Sequence, residues 1–585
     1  LACAFGLALA VRLLFVFQWQ ATPYANWPLL DADAYHEWAK IIASGELFRP
    51  RAFYQSPLYP YLLGFLYAVF GASALVAGLW GALLDALTVT LLTHFTFKHF
   101  GRTAAIATAL LAIFFRPMIF YSAPVMKEPL VLFLLAALLP FAFSALHDNK
   151  RKAFALSGLL IGLGALTRGN LLLLAPALGL FALYKHRTTA IGHVVVLALT
   201  TALAIAPATL HNAYVSNDFV PINYADGFNL YIGHSPIANG TNAYPPEVST
   251  DPVQEEFNTS YIAQQAMGHD LKPSEVSSYW RTRAVQEIKA DPWRELSLLT
   301  NKIEAFWNST DTFDNYDIPF IAKNFDTLLS WPLVGFGLIS TLAAFAAWPA
   351  LKQKNEAAQL LLVLLGVYFL SVMPFYVTDR YRLPVIIFLL PLAGAAFAYA
   401  PALFKGKTKP FAACGLALLF AFLSLKPNPT PRDLTAFDWG TLTAVYAGQE
   451  RDEDALNALE KGLALAPTEV GPQAFLQAAT SAKKLGQSER AAALLAQALQ
   501  LYPENGTVHY NIGRDLAAEG KLPEAIKAFE RALKLNPSYT LTYYALAVIH
   551  DKLGHYEQAS SYAAQGLAID PTNRWLWGFV THRGP

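Results

Sequence analysis

Runs of about twenty apolar residues recur along the first 425 positions of this sequence, and a lipid bilayer is the solvent such runs suit. They lie near residues 1–19, 75–97, 103–122, 129–147, 153–167, 170–184, 189–210, 329–349, 357–377, 383–404 and 410–425. The expectation is an all-α, polytopic bundle of about eleven transmembrane helices embedded in the lipid bilayer. Leu1 opens the chain with neither methionine nor a basic leader, which reads as a first span whose earliest residues are missing rather than as a cleaved signal.

Lysines and arginines in the short loops set the orientation, because cytoplasmic loops keep the excess of positive charge. Lys98 with Arg102, Lys150 to Lys152, Lys185 with Arg187, Lys352 with Lys354, and Lys405, Lys407 and Lys409 fall at every second connection. Those connections are expected in the cytoplasm. The long polar loops 20–74 and 211–328, and everything after Leu425, then face the extracytoplasmic side of the inner membrane, the periplasm.

The chain has 585 residues, 55% of them hydrophobic, with a net charge of +1. That charge, with no basic stretch interleaved with aromatics, excludes a nucleic-acid groove. Cys3 and Cys414 both sit in apolar runs, so neither a disulfide framework nor a thiolate metal site can be assembled.

After a proline-rich joint at 426–432 the bilayer-length runs stop, and 433–585 reads as amphipathic helices rich in alanine. Pro503, Pro537 and Pro571 recur every 34 residues, in step with Gly486, Gly520 and Gly554. Each unit reads as two helices, with glycine at the turn and proline stopping the second. The segment resembles an α-solenoid of about four tetratricopeptide repeats, the last face closed by Trp575 and Trp577. Such arrays commonly present a groove to a partner or acceptor protein; a spacer or dimer contact is the other reading.

The first outer loop carries the chemistry. It begins with Asp31 and Asp33 just past the first span, continues as an amphipathic helix through Tyr35, Trp38 and Ala39, and runs from Pro57 through Tyr59 and Pro60 to Gly71. An acid at the membrane rim can accept a proton from a hydroxyl nucleophile; the competing role for Asp31 is a helix N-cap. An aspartate four residues before an aromatic, then Trp38-Ala39, then the Pro57-to-Pro60 motif, resemble in order the GT-C glycosyltransferases, in particular the bacterial members similar to protein O-mannosyltransferases and lipid A aminoarabinose transferases (glycosyltransferase family 39-like). The resemblance covers roughly residues 1–400 of the segment 1–425.

That resemblance implies a sugar donor on a polyprenyl phosphate, a hydroxyl acceptor on protein, lipid or glycan, inversion at the anomeric carbon, and Asp31 as the catalytic base. Relatives often carry Asp-Glu where this chain has Asp31-Ala32-Asp33, so the second carboxylate is displaced; Asp33 and Glu128 are the candidates for a second acid, Glu128 equally as the ion-pair partner of Lys127. Relatives differ in metal dependence, which leaves a divalent metal open. No metal site is readable from spacing, His211 and His234 included.

A departing phosphate gathers negative charge, which fixed cations stabilise. Lys127, Arg168, Arg380 and Arg382 stand at the expected outer ends of spans, and Arg116 lies inside one but nearer that end; snorkelling to lipid phosphates is the bland alternative for each. Arg12 and Asp85 at membrane depth read as a helix-pairing couple. Tyr35, Tyr59, Tyr231 and His234 are candidates for holding sugar or acceptor. Two other classes compete: a lipid-linked saccharide transporter, which would spread charge through the membrane depth, and a non-catalytic membrane-anchored scaffold for the repeats.

Overall fold

A backbone in hydrocarbon has no water to satisfy its N–H and C=O groups, so each apolar run should close its hydrogen bonds within a helix. The computed structural model bears this out: among the described residues there is no strand, only an isolated bridge between Phe115 and Val334. The structure describes residues 1–585 apart from 311–313, 406–409, 427–433, 571–572 and 582–585. The expected loop cations Lys407 and Lys409, most of the joint 426–432, and Pro571 fall outside the described residues. The chain divides into two compact units, Leu1–Pro245 with Lys272–Pro431, and Pro246–Leu271 with Arg432–Pro585.

In the first unit α1 (Ala2–Gln20) leads into the loop helices α2 (Asp31–Ala43) and α3 (Leu58–Phe70). There follow α4 (Ala74–Phe100), α5 (Arg102–Ile113), α6 (Arg116–Tyr121), α7 (Glu128–Asp148), α8 (Arg151–Ala165), α9 (Leu174–His186) and α10 (Ile191–Ser216). Five stretches are long and apolar enough to cross a membrane by length and composition: Ala2–Gln20, Ala74–Phe100, Glu128–Asp148, Gly169–Ser216 and Asp379–Pro401. Gly169–Ser216 holds two of the expected runs, as α9 and α10. Other runs hold shorter apolar helices. The run 103–122 breaks because the Arg116 N–H bonds to the Val334 carbonyl instead of continuing the helix, which resumes as α6. Leu199, Leu203 and Leu210 on α10 are 63%, 70% and 69% exposed, a face that only lipid would cover favourably. This is a multi-pass membrane protein.

Small residues set how closely these helices pack. A Cβ on Gly158 of α8 would stand 2.1 Å from Thr200 Oγ1, and one on Gly162 would stand 2.5 Å from Ala204 Cβ. The Gly158-to-Gly162 spacing is the small-xxx-small pattern that lets α8 and α10 touch backbone to backbone. Arg12, fully buried, donates to Asp85 and, at 2.8 Å, to the Ala112 carbonyl. That couple therefore ties α1 to α4 and α5, as its place in the sequence suggested.

A cap follows: α11 (Asp226–Ile232), then α12 (Pro252–Met267), which belongs to the second unit, then α13 (Pro273–Ala290), α14 (Pro292–Trp307) and α15 (Ile318–Asn324). Phe228 and Tyr231 of α11 pack on Trp280 of α13, with ring centroids 4.9 and 5.1 Å apart. The bundle resumes as α16 (Phe336–Lys352), α17 (Glu356–Val372), the single turn α18 (Asp379–Arg382), α19 (Ile386–Lys405) and α20 (Phe411–Leu425).

The second unit stacks helical pairs: α21 (Leu434–Gly448) with α22 (Asp452–Leu465), α23 (Pro472–Lys484) with α24 (Ser488–Leu501), α25 (Gly506–Ala518) with α26 (Leu522–Leu535), and α27 (Thr540–Lys552) with α28 (Tyr556–Ile569), ending in α29 (Arg574–Thr581). Gly486, Gly520 and Gly554 take φ of 75°, 79° and 77°, which only glycine adopts without strain, and this turns each pair back on itself. The last face expected to be closed by Trp575 and Trp577 is filled by Leu576 between them, with the Trp575 ring 5.9 Å from that of Tyr544. Leu576 is fully buried while the tryptophans are 64% and 44% exposed, because the helical period turns only one of three neighbours inward. Tyr261 of α12 packs on the cluster of Tyr543, Ala547, Ala563 and Leu567, so the stretch 246–271 adds a helix to this unit.

Candidate active site

Asp31 is the first residue of α2, and Leu30 before it is held at φ 49°, ψ −117°. That conformation is costly for a branched L-residue and persists only where surrounding structure enforces it. The N-cap position belongs to Leu30, and Asp31 is the first helical residue. The Asp31 side chain accepts from Gln55 Nε2 at 2.9 Å and from Arg380 Nη1. The Asn315 amide lies behind it, accepting from the Asp31 N–H at 3.2 Å and donating to Asp314 at 3.0 Å.

Arg380, on α18, is the hub. Its Nε is 2.8 Å from Asp314 Oδ2 and 3.8 Å from Glu128 Oε1, while Thr378 Oγ1 also donates to Asp314 at 3.0 Å. Glu128, the first residue of α7 and 1% exposed, accepts from Arg168 Nη2 at 3.0 Å. The ion-pair partner of Glu128 is thus Arg168 rather than Lys127, a correction with a geometric cause: on a helix start, adjacent side chains diverge by about 100°. The Arg168 guanidinium, at the end of α8, lies 4.7 Å over the Tyr381 ring. Its Nε and Nη1, and Glu128 Oε2, are buried without a hydrogen-bond partner among the described residues.

Lys127 stands over the Tyr35 ring at 5.5 Å, and Tyr35 meets Tyr59 edge-on at 5.5 Å. No carboxylate lies within ion-pair distance of its ammonium among the described residues. Burial, reinforced by Arg168 and Arg380, brings Lys127 down to about 8. Burial alone would raise the Asp31 carboxyl; the charges of Arg380 and Lys127, with the Arg380 and Gln55 hydrogen bonds, outweigh it and hold Asp31 below the usual carboxylate range.

Asp31 and Tyr35 of α2, Tyr59 of α3, Lys127 and Glu128 at the start of α7, Arg168 just past α8 and Arg380 on α18 therefore gather in one place. Several expected site residues do not join them. Asp33 is exposed on the first turn of α2 and faces Tyr316, because two residues past Asp31, about 200° round the helix, turn it off the cluster. Arg382 pairs with Asp379 at 2.6 Å and donates to the carbonyls of Ala305, Asn308 and Thr310, so its guanidinium is committed to holding backbone and not to a phosphate. Arg116 makes no contact with the cluster among the described residues. Tyr231 accepts from Arg283 Nη2 at 2.8 Å inside the cap, and His234 faces Glu295, Pro374 and Lys302; neither presents a platform to a sugar beside Asp31. Among the described residues no group of three or more His, Cys, Asp or Glu could hold a metal ion. Asp31, Asp314 and Glu128 all turn to Arg380, the donor set of an arginine clamp.

Asp314, Gln55 and Asn315 were not singled out from sequence. Asp314 lies in a polar stretch between α14 and α15 with nothing in its spacing to distinguish it. Gln55 adjoins the Pro57-to-Pro60 motif, the one cue that could have drawn attention to it.

Residues 54–211 match the family model described as dolichyl-phosphate-mannose-protein mannosyltransferase, and residues 476–540 and 516–578 match tetratricopeptide repeat models. The first match takes in Gln55, Tyr59, Lys127, Glu128 and Arg168. Among curated proteins, tetratricopeptide repeat protein 7B of Homo sapiens is 26% identical over 153 residues, 25% of this chain and 18% of that protein; the chain spans under a fifth of this relative's length. Among solved structures, ArnT from Cupriavidus metallidurans bound to undecaprenyl phosphate superposes with TM-score 0.41 at 15% identity, covering 96% of this chain and 79% of that one. The Archaeoglobus fulgidus oligosaccharyltransferase in its apo form gives 0.41 at 15% identity, covering 78% and 59%. Both superpositions are too loose to carry a statement about chemistry.

Proposed function

We propose that this chain is a membrane glycosyltransferase that moves a sugar from a polyprenyl-phosphate donor to a hydroxyl acceptor on the periplasmic face of the inner membrane, with Asp31 as general base. One observation carries the reading. The cluster at one end of the apolar bundle holds an ionised aspartate beside a lysine with no carboxylate partner and an arginine with two unsatisfied N–H groups, among the described residues. Lys127 and Arg168 have donors to spare beside Asp31; Arg380, whose Nε also lacks a well-aligned acceptor among the described residues, grips Asp31 through Nη1 and orients it.

In this reading Lys127 and Arg168 bind the donor phosphate, and Tyr35 and Tyr59 wall the sugar. Asp31 takes the proton of the acceptor hydroxyl as its oxygen bonds to the anomeric carbon. The bond from that carbon to the phosphate oxygen breaks, and the electron pair leaves on the phosphate, where the two cations meet the growing charge. A carboxylate held below its usual range is a weak base but is charged at any working pH. It suffices because the hydroxyl proton acidifies as its oxygen attacks. Asp31, Asp314 and Glu128 converge on Arg380, and Glu128 is shared with Arg168, so each of these carboxylates already faces a guanidinium.

The test is purified full chain in detergent with a radiolabelled polyprenyl-phosphate sugar, wild type beside Asp31→Asn. Turnover in wild type lost in the variant is expected; turnover retained removes Asp31 from the role. The transport reading gains nothing from Arg12 and Asp85, which pair with each other between helices. The repeats fit recruitment of a protein partner or acceptor.

A further inference from the structure

Away from the Asp31 cluster, the cap buries a second set of charges. His234, just after α11, has Nδ1 2.5 Å from Glu295 Oε2, while its Nε2 faces two groups of opposite kind: the Pro374 carbonyl at 2.8 Å and the Lys302 ammonium at 3.5 Å. A carbonyl needs an N–H from that nitrogen and an ammonium needs its lone pair, so Nε2 can serve only one of them at a time. With Nδ1–H given to Glu295, Nε2 carries hydrogen only in the imidazolium. Protonated, His234 bridges Glu295 and Pro374; neutral, it offers its lone pair to Lys302 and leaves the Pro374 carbonyl without this donor.

Pro374 opens the segment that leads into Arg380, and that segment is tied along the same part of the cap. Tyr376 OH donates to Asn229 Oδ1 at 3.2 Å, and the Val377 N–H donates to the Gly240 carbonyl at 3.0 Å. Gly233 packs so closely that a Cβ there would stand 2.4 Å from the Phe375 carbonyl oxygen. The charges facing His234 are on α14: Glu295, Lys302, and Arg294, whose Nη1 donates to the His234 carbonyl at 3.3 Å. Those of neighbouring elements are engaged elsewhere: Asp379 with Arg382, Arg380 with Asp31 and Asp314, and Arg283 with Tyr231. Burial lowers His234, Lys302 adds to this, and Glu295 and the Pro374 carbonyl oppose it; burial likewise brings Lys302 to about 8.

We propose that His234 is a positioning residue, a proton-dependent tether that fixes the 374–378 segment, and through it Arg380, to the cap. Its consequence for turnover rests on the glycosyltransferase reading; the tether itself does not.

Hydrogen–deuterium exchange of the full chain in detergent, read on peptides covering 374–378 from about pH 5.5 to about 8.5 and corrected for intrinsic exchange, tests it. Wild-type protection should fall by up to roughly tenfold per pH unit above the His234 midpoint. In His234→Gln the protection should lose its pH dependence. In Lys302→Met, which removes both the competing partner and its charge, the midpoint should move to higher pH. Protection that is flat with pH in wild type, or a midpoint unmoved in Lys302→Met, overturns the tether. Turnover of Asp31→Asn measured on the same preparations separates the two claims, since the exchange result stands or falls independently of catalysis.

Discussion

Arg380 is gripped by Asp31 and Asp314 together, with Glu128 close behind, and this fixes what single substitutions should do. Asp31→Asn keeps the shape but removes the proton acceptor, so turnover should drop by about 10² to 10⁴ with the unfolding temperature nearly unchanged. Lys127 is charged below about pH 8 and neutral above it. If it holds the donor phosphate, kcat/KM should decline as pH rises through that value, and Lys127→Arg should move the decline to higher pH; a profile indifferent to this exchange would remove Lys127 from donor binding. Arg382 gives the opposite signature. Arg382→Met removes an ion pair to Asp379 and the donor to three backbone carbonyls in a buried site, and should cost about 3 to 5 kcal/mol of stability in a denaturation series, with any activity loss following from that.

At the scale of elements, the contact of α8 with α10 depends on two residues without side chains. Gly162→Ile would drive a branched side chain into Ala204 and the Thr201 carbonyl, 2.8 Å from where even a Cβ would sit. The expected cost is about 1 to 3 kcal/mol or a failure to assemble, seen as a lower melting temperature or loss of the monodisperse peak in detergent. Gly6, with open space around its Cβ position, is the control: Gly6→Ala should be neutral or slightly stabilising. These packing sites were not distinguished in the sequence, where Gly158 and Gly162 are two among many small residues in apolar runs.

On the scale of the whole molecule, α12 departs from the chain around it by joining the repeat unit, with Tyr261 covering Tyr543 and Leu567. Truncation before residue 434 should therefore expose the stretch 246–271. Limited proteolysis should cut there in the truncated protein and spare it in the full chain; equal cutting in both would show that the repeats do not protect it. Retained turnover in the truncated protein would assign the array to recruitment.

The sequence by itself determined the classes of structure. Bilayer-length apolar runs leave a helical solution for the backbone, and a 34-residue period with glycine and proline in step leaves paired helices, because both follow from local hydrogen bonding and local conformational preference. It also drew attention to Asp31 through its motif, and to Lys127, Arg168, Arg380, Arg382 and Arg116 because charge is expensive at a membrane boundary and stands out wherever it is kept. Only the tertiary structure decided which charge meets which. Asp314 enters the cluster from 283 residues beyond Asp31, Arg382 turns inward to carbonyls, and Asp33, two residues past Asp31, turns away round the helix. Such pairings are set by how distant segments converge, and one sequence records the residue types but not that convergence.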